Sequence, residues 1–542
     1  MPKKRSIKII SLVVLLTFFS CLFYGCSKDN DNTAKASKPE SKKTADVIRL
    51  AGGDYGYLSP YAHYPRGPGS FKMRLIFDSL LERDEEGYIP WLAEKYEIKE
   101  NGKKYLFTIR DNVKWHDGKP LTVDDVKFSF EYACKHPMVS STISQDDIEK
   151  VEVVGDRQVL VTVRKPSAVM LGNLGTTRII PKHIWENVDN PKEFLDEEAV
   201  IGCGPYILTD YSKEHGTYRF EAFKDYWGPK QRVKVIEHIP VSEAILAFEQ
   251  GEIDMTSVTP DVLPRFENDP QYKIVESPAF WGYRMLFNMS ETPVFRQKEF
   301  RQAICYALDK EDLIEKVQRG AGVPGSAGVL PPGHIMYNPN VKQYDHSTEK
   351  AVELLEKLGY DKLENGVRVN SKGEKLSFNL LVGGEVRLAE VIKEHLGKAG
   401  IEINVQSVDG KTRDSRVNEN KYQLAITGHG GWGNDADYLR ERFSDDTASS
   451  GSISPNMARF KGYSNPELSE LLEKQFETID ENKRKKQIFD AQELLAEDVP
   501  EIALFYTISY YVYRPEKYDG WMFMFDHHSL EHSKLSYLER DW

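Results

Sequence analysis

The most informative stretch of the chain is residues 105–132, YLFTIRDNVKWHDGKPLTVDDVKFSFEY. Its first six residues place alternate side chains on opposite faces, a pattern typical of a β-strand. The dipeptide Asn101-Gly102 lies just before them and favours a type I′ turn, because both of its residues tolerate positive φ. The DGKP sequence predicts a second turn, and Thr122, with Asp125 three residues later, predicts a helix start. The stretch therefore predicts a hairpin, a turn and a capped helix that fold as one module.

Length and charge narrow the possible functions. A chain of 542 residues is too long for one hydrophobic core and predicts about two to four domains. The formal net charge is −12, and loss of residues 1–25, which contain four bases and no acids, would make it more negative. Nucleic-acid binding depends on Lys and Arg at the phosphates. We therefore expect no nucleic-acid partner.

The N-terminus has the pattern of a targeting segment. Residues 1–25 combine a basic start with a largely apolar run that is short for a membrane span, which is typical of a signal peptide. Gly25-Cys26 resembles a bacterial lipobox, although the two preceding residues are aromatic, so Cys26 is the predicted lipidation site. Cys21, a plain secretory signal and an uncleaved anchor are the alternatives. Residues 26–45 are polar and predict a lipidated tether.

Periodicity also predicts elements further along the chain. The strand–helix–strand pattern of residues 376–408 predicts a parallel β-α-β unit. Residues 422–427 have the composition of another apolar strand, and residues 500–513 that of one strand rich in aromatic side chains.

Several blocks of sequence carry a family resemblance. They include residues 105–131, Ile201–Tyr206 (IGCGPY), Ala247–Asp254 (AFEQGEID) and Phe300–Lys310 (FRQAICYALDK). They are similar to the signature blocks of the peptide/nickel-type (family 5) extracytoplasmic solute-binding proteins of ABC importers. The second block departs from the usual pattern, because Cys203 replaces a hydroxyl residue. Such blocks recur from about Asp46 to Arg514.

The resemblance implies an α/β protein with the type II periplasmic-binding-protein-like fold, in which two hinge-joined lobes clamp a ligand and one lobe contains an inserted domain. The implied ranges are 46–80, 202–285 and 500–542 for lobe I, 81–201 for the inserted domain, and 286–499 for lobe II. Strands near Phe287 and Ala503 are expected to form the hinge.

Three functions compete at this point. The first is the binding component of an importer for short peptides, and the second is a binding protein for a nickel chelate. The third is an exported enzyme, because residues 428–433 (GHGGWG) formally match a dinucleotide-binding pattern, which is weak on its own. The first two imply a monomer outside the cytoplasm that needs no cofactor and works with an ABC permease and ATPase.

The resemblance also implies where the ligand binds. Trp432 and Asp435 match the spacing of a family motif in which the Trp walls a pocket and the Asp pairs with a peptide ammonium. We expect Tyr283 and Trp281 to face them from the first lobe. A carboxylate that loses water when the lobes close needs a cationic partner, and we expect the peptide to supply it. The alternative role for Asp435 is to cap the next helix.

Two departures favour the nickel alternative. Dipeptide-binding members carry an Arg in the loop after the strand that ends here at Val382, whereas residues 383–386 contain no base. His429 lies near Trp432, and a neutral imidazole is a suitable nickel ligand. Arg178 resembles in position an Arg that holds chelator carboxylates. The histidines near the C-terminus, His527, His528 and His532, are expected to be surface charge partners.

Overall fold

The computed structural model describes residues 43–62, 69–139, 141, 143–430, 435–445, 462–525 and 527–539. The predicted signal peptide, Cys26 and Trp432 lie outside the described residues. Within these ranges, no helix is both long enough and apolar enough to cross a membrane.

The described residues form a mixed α/β structure. Its strands are β1 (Ala45–Ala51), β2 (Leu81–Arg83), β3 (Tyr88–Pro90), β4 (Ala93–Lys99), β5 (Lys104–Ile109), β6 (Ile148–Val154), β7 (Gln158–Val163), β8 (Tyr206–Ser212), β9 (Thr217–Ala222), β10 (Val233–Ile239), β11 (Met255–Val258), β12 (Lys273–Glu276), β13 (Trp281–Phe287), β14 (Gly322–Pro324), β15 (Lys362–Glu364), β16 (Val367–Val369), β17 (Ser377–Val382), β18 (Glu402–Ser407), β19 (Leu424–His429), β20 (Glu501–Thr507) and β21 (Tyr510–Tyr513). Its helices are α1 (Gly69–Ile76), α2 (Val123–Lys135), α3 (Met170–Thr176), α4 (Lys182–Trp185), α5 (Ala244–Glu249), α6 (Lys298–Ala307), α7 (Lys310–Gln318), α8 (Thr348–Lys357), α9 (Val386–Lys398), α10 (Gly410–Asn418), α11 (Tyr438–Phe443), α12 (Pro466–Glu477) and α13 (Glu481–Asp498).

The predicted hairpin and capped helix are confirmed. β4 and β5 pair antiparallel, and Asn101 and Gly102 both have positive φ, at 50° and 82°. The connection has four residues rather than the two of a type I′ turn, and Glu100 is left-handed as well, with φ 51°. At the start of α2, the backbone N–H of Thr122 donates to the Asp125 carboxylate at 2.8 Å, which satisfies a donor that the helix itself leaves free.

His116, in the turn before α2, connects the block of residues 105–131 to the block Ile201–Tyr206. His116 Nε2 donates to the carbonyl of Gly204 at 3.0 Å, and the Gly202 N–H donates to His116 Nδ1 at 3.3 Å. Burial lowers the pKa of His116 to about 4, so the ring is neutral. A Cβ on Gly202 would lie 2.0 Å from the Ile76 carbonyl oxygen, which explains why glycine stands there. His116 is therefore a structural residue.

The largest sheet has six strands in the order β14-β20-β13-β19-β17-β18. β17 pairs parallel with β18 and is joined to it through α9, which confirms the predicted β-α-β unit. β19 is parallel to β17, whereas β13 runs antiparallel to both β19 and β20. The middle of the sheet is therefore built from segments that are far apart in sequence.

The chain passes twice between the six-stranded sheet and the three-stranded sheet β11-β21-β12. Residues 277–280 join β12 to β13, and residues 508–509 join β20 to β21. Ser277 and Ser509 tie the two crossings together, because the Ser277 N–H donates to the Ser509 carbonyl at 2.8 Å and the Ser509 N–H donates to Ser277 Oγ at 2.9 Å. The prediction of one strand over residues 500–513 was therefore wrong, since the chain changes sheets within it.

The C-terminal segment is held by a buried ion network. Lys534 Nζ lies 2.7 Å from Asp78 Oδ1 and 2.6 Å from Glu82 Oε2, and the Lys534 and Asp78 side chains are 0 % exposed. Asp78 also accepts from Trp227 Nε1 at 3.0 Å and from the Tyr226 hydroxyl at 3.1 Å. These contacts attach the last described residues to the segment that follows α1.

Candidate functional site

Three of the predicted site residues, Trp281, Tyr283 and His429, meet at one edge of the six-stranded sheet. β17 and β19 end at this edge and antiparallel β13 begins there. Tyr283 pairs with Gly428, and the neighbour of Trp281, Gly282, pairs with His429. The expectation that Trp281 and Tyr283 face this loop from the opposite lobe was wrong, because direct strand pairing places them beside it. In open α/β sheets, ligands bind outside the carboxyl ends of the strands.

The Trp281 side chain leaves no room for a Cβ at two glycines of the GHGGWG pattern, Gly428 and Gly430. A Cβ on Gly428 would lie 2.8 Å from Trp281 Cζ2, and a Cβ on Gly430 would lie 2.8 Å from Trp281 Cδ1. The indole packs edge-on against Tyr283, with 4.9 Å between ring centroids. The next described helix, α11, begins only at Tyr438, whereas a dinucleotide fingerprint enters its helix directly. The two glycines make room for an indole within the chain.

Asp435 already has a cationic partner. Arg484, on α13, holds the carboxylate with two N–H groups, one of them at 2.9 Å from Oδ2, and the Asp437 N–H donates to Oδ1 at 2.8 Å. Burial alone would raise the pKa of Asp435, but the Arg484 guanidinium outweighs burial and lowers it. The Asp435 side chain is nevertheless 42 % exposed, whereas that of Arg484 is 7 % exposed. The expectation that only a ligand supplies the positive charge was wrong.

His429 faces the interior of the protein. Its ring stacks on Tyr438, with centroids 4.9 Å apart and planes 21° apart, and its side chain is buried. Burial lowers the pKa of His429 well below its usual value, and the guanidinium groups of Arg284 and Arg442 lower it further. The imidazole is therefore neutral but lies near two fixed positive charges, which oppose a metal cation.

Arg178 lies in a different part of the protein from His429. It is buried, and it donates to the carbonyls of Val139 at 2.8 Å and Ser70 at 2.9 Å. Its Nε has no hydrogen-bond partner among the described residues. Burial lowers the pKa of Arg178 to about 9, and the nearby guanidinium of Arg74 contributes to this shift. Arg178 thus stabilises the start of α1 through its hydrogen bond to the Ser70 carbonyl.

A cation that the sequence did not suggest, Arg413, lies at the same edge as Trp281. Arg413, on α10, donates to Glu385 at 2.9 Å and to Asp414 at 3.0 Å, and its guanidinium carbon lies 2.9 Å from where a Cβ on Gly383 would be. The loop of residues 383–386 contains no basic residue itself, but the basic side chain of Arg413 packs against it. Asp409, which caps α10 directly after β18, was the available signal, because the carboxyl ends of β18 and β17 share an edge.

The three C-terminal histidines are not surface charge partners. The Phe71 ring on α1 contacts the rings of His527 and His532 at centroid distances of 4.5 and 4.3 Å. His527 Nε2 and His532 Nδ1 are 2.7 Å apart. His528 Cε1 lies 3.4 Å from the Cβ position of Gly430. Burial lowers the pKa of all three histidines, and that of His528 falls to about 4. This segment joins α1 to the end of β19.

Comparison with known proteins identifies the family. The family model described as Bacterial extracellular solute-binding proteins, family 5 Middle matches residues 87–451. The chain is 26% identical over 455 residues to the dipeptide-binding protein of Escherichia coli K12, covering 79% of this chain and 82% of that protein. It is 25% identical over 542 residues to the oligopeptide-binding protein AppA of Bacillus subtilis, covering 96% of each.

A solved structure has a similar fold. NikZ from Campylobacter jejuni, in complex with Ni(L-His), matches with a TM-score of 0.76 and 24% identity over 92% of this chain and 99% of that one. The predicted type II periplasmic-binding-protein-like fold is confirmed. The chain belongs to the bacterial extracellular solute-binding proteins of family 5.

Proposed function

We propose that this protein is the peptide-binding component of an ABC importer. The observation that carries the proposal is the near-complete coverage of this chain by a relative named as an oligopeptide-binding protein. The site offers the chemistry that an extended peptide needs, since strand ends supply backbone groups and aromatic rings supply walls. Such a protein captures a solute and hands it on to the permease, without a catalytic step or a cofactor.

The residues proposed to face the peptide are Trp281, Tyr283, Trp432 and Asp435. The Asp435 carboxylate has about four acceptor positions, and contacts among the described residues fill three of them, two with Arg484 and one with the Asp437 N–H. One position remains for a ligand ammonium, and the exposed part of the side chain gives access to it. The Asp435 carboxylate is therefore shared between Arg484 and the ligand ammonium.

A nickel chelate is the second candidate, because the similar NikZ structure contains Ni(L-His). His429 would be the metal-binding residue in this chain. Its stacking on Tyr438 and the two guanidinium groups nearby favour a structural role instead. The peptide proposal therefore has the stronger support.

We also propose how the protein is placed and how it moves. The mature chain begins at a lipidated Cys26 and works as a monomer on the outer face of the cell membrane, where the tether keeps it near its permease and ATPase. The inserted domain keeps the range 81–201. Because β13 and β20 belong to the six-stranded sheet, lobe II extends over residues 281–507, and lobe I comprises residues 46–80, 202–276 and 510–542. The paired crossings at residues 277–280 and 508–509 are better hinge candidates than Phe287 and Ala503, which lie inside strands.

A ligand screen tests the main proposal. The chain without residues 1–26 is mixed with a pool of random tripeptides, or with Ni²⁺ and L-histidine, and binding is followed by thermal shift and native mass spectrometry. The peptide pool should raise the unfolding temperature by mass action. A shift only with nickel and histidine would replace the peptide proposal with the chelate. Chemical conversion of the pool without a shift would refute a binding function.

The anchor is tested separately. Full-length protein is expressed in a bacterial host, membranes are separated from soluble material, and the mass of the mature N-terminus is measured. Wild type should fractionate with membranes and carry a lipid on Cys26. Cys26→Ala should be released or remain an uncleaved precursor, whereas Cys21→Ala should behave like wild type. An unmodified mature N-terminus on the wild-type protein would contradict the anchor.

A further inference from the structure

Lys72 is a buried amine without a counter-ion in contact. Only 7 % of this α1 residue is exposed. Its Nζ lies over the rings of Tyr55 and Tyr218, 5.0 and 5.8 Å from their centroids. Among the described residues, no hydrogen bond or ion pair reaches this nitrogen. Buried ammonium groups are normally paired or hydrogen-bonded, so the amine lacks a partner that its position demands.

The groups around Lys72 do not neutralise it. Glu531 is the acid that faces the amine, but it lies beyond ion-pair distance, and burial raises the pKa of its carboxyl. His238 and His532 come from two other packed segments, and burial followed by nearby positive charges keeps both rings neutral. Tyr55 and Tyr218 contribute only the faces of their rings. Burial accordingly lowers the pKa of Lys72 to about 8.

The residues next to Lys72 in α1 contact a segment that reaches the candidate site. The neighbour of Lys72, Phe71, contacts His527 and His532. His528, in the same C-terminal segment, abuts Gly430. One residue before Phe71, the Ser70 carbonyl accepts from Arg178. A continuous set of contacts therefore runs from Arg178 along the start of α1 to the glycines under Trp281.

We propose that Lys72 binds a carboxylate of the transported solute, so that the site selects ligands that carry one. The inference rests on the proposed binding function and adds a residue that determines specificity. A carboxylate satisfies both needs of the site, because it accepts hydrogen bonds from the ammonium and supplies the missing negative charge. The carboxylate comes from a peptide C-terminus or from a metal chelate such as nickel–histidine, and the experiment separates these sources.

The first experiment compares ligands and variants by calorimetry. The probes are a random tripeptide pool with free carboxylates, the same pool as C-terminal amides, and Ni²⁺ with L-histidine. Wild type should prefer the free-acid pool. Lys72→Met should weaken binding of that pool by at least about 30-fold, as for a charge pair that loses one member, and should remove the preference. Lys72→Arg should retain most of the preference.

The control variant is Lys310→Met. Lys310 lies on α7 and its amine donates to the Gly325 carbonyl at 2.5 Å, so its loss should leave the free-acid preference unchanged.

If Lys72→Met does not fold, the pH dependence of binding to the wild-type protein tests the role of Lys72. At about pH 9 the free amine of Lys72 is largely neutral, so binding of the free-acid pool should take up about one proton more than binding of the amide pool, which carries the same α-amino group. The affinity for the free-acid pool should also fall more steeply as the pH rises through about 8.

The outcomes separate the two proposals. Wild type that binds neither peptide pool but binds nickel–histidine, with loss of binding in Lys72→Met, would support the role of Lys72 and refute peptide transport. Wild type that binds both pools equally, with the same proton uptake for each, would overturn the role of Lys72 and leave peptide binding intact. No binding of any probe would overturn both proposals.

Discussion

Arg484 and Asp435 form a two-point ion pair in which the guanidinium is buried and the carboxylate is partly exposed. The pair joins the start of α13 to the segment after the glycine-rich loop. The carboxylate thus has a structural partner and, in our proposal, a ligand as well. Comparison of substitutions at the two residues should separate these two roles.

Asp435→Asn should reduce both stability and peptide affinity. Loss of the carboxylate leaves Arg484 unpaired, and we expect the free energy of unfolding in urea to fall by about 1–2 kcal/mol, a value discounted for the exposure of Asp435. Arg484→Gln should reduce stability similarly but retain the preference for free over N-acetylated peptides, which Asp435→Asn should lose. Equal affinity of the wild type for free and acetylated peptides would contradict contact between Asp435 and a ligand ammonium.

Gly428→Ala should displace the indole of Trp281. The added Cβ would lie 2.8 Å from Trp281 Cζ2, closer than such contacts allow, so we expect a shift in tryptophan fluorescence and a loss of about 1–3 kcal/mol in unfolding free energy. In a Trp281→Ala background the same substitution should cost much less. Gly397→Ala is the control, because its Cβ would meet nothing within 4 Å, and it should stabilise α9 by up to about 1 kcal/mol. Additive losses in the double variant would show that the indole is not the obstacle.

Lys534→Met should be the most destabilising of these substitutions. It leaves the buried Asp78 carboxylate without a cation in contact and leaves Glu82 with Arg74 alone. Removal of one partner of a buried network costs about 3–5 kcal/mol, measured from urea unfolding curves. The surface pair between Lys104 and Glu100 is the comparison, and Lys104→Met should reduce stability far less than Lys534→Met does. Similar effects of both variants would mean that the Lys534 network adds little.

His528 should make stability depend on pH in the acid range. Burial lowers its pKa in the folded protein to about 4, whereas the ring titrates near 6.5 when unfolded. The unfolded chain therefore binds the extra proton between these values. The stabilisation is fully present above about pH 6.5 and is lost progressively as the pH falls towards 4, by up to about 1.4 kcal/mol per pH unit. His528→Gln should reduce this slope in unfolding measured at several pH values, whereas exposed His215→Gln should not.

The sequence alone determined the local elements and the family. Hairpin, cap and β-α-β unit follow from side-chain periodicity and turn chemistry, which act over a few residues, and each is confirmed. The family blocks led to the same fold that the comparisons show. The sequence also pointed to Trp281, Tyr283 and His429, although it gave the wrong spatial arrangement for the first two.

Only the tertiary structure decided which groups meet. Arg484 lies 49 positions after Asp435, and Arg413 is 28 positions after Glu385, so no local pattern connects either pair. The burial of His429 and Lys72 and the partial burial of the C-terminal histidines depend on strands and segments contributed from distant parts of the chain. Charge pairing and desolvation depend on distance in space, and sequence periodicity carries no information about contacts across several hundred residues.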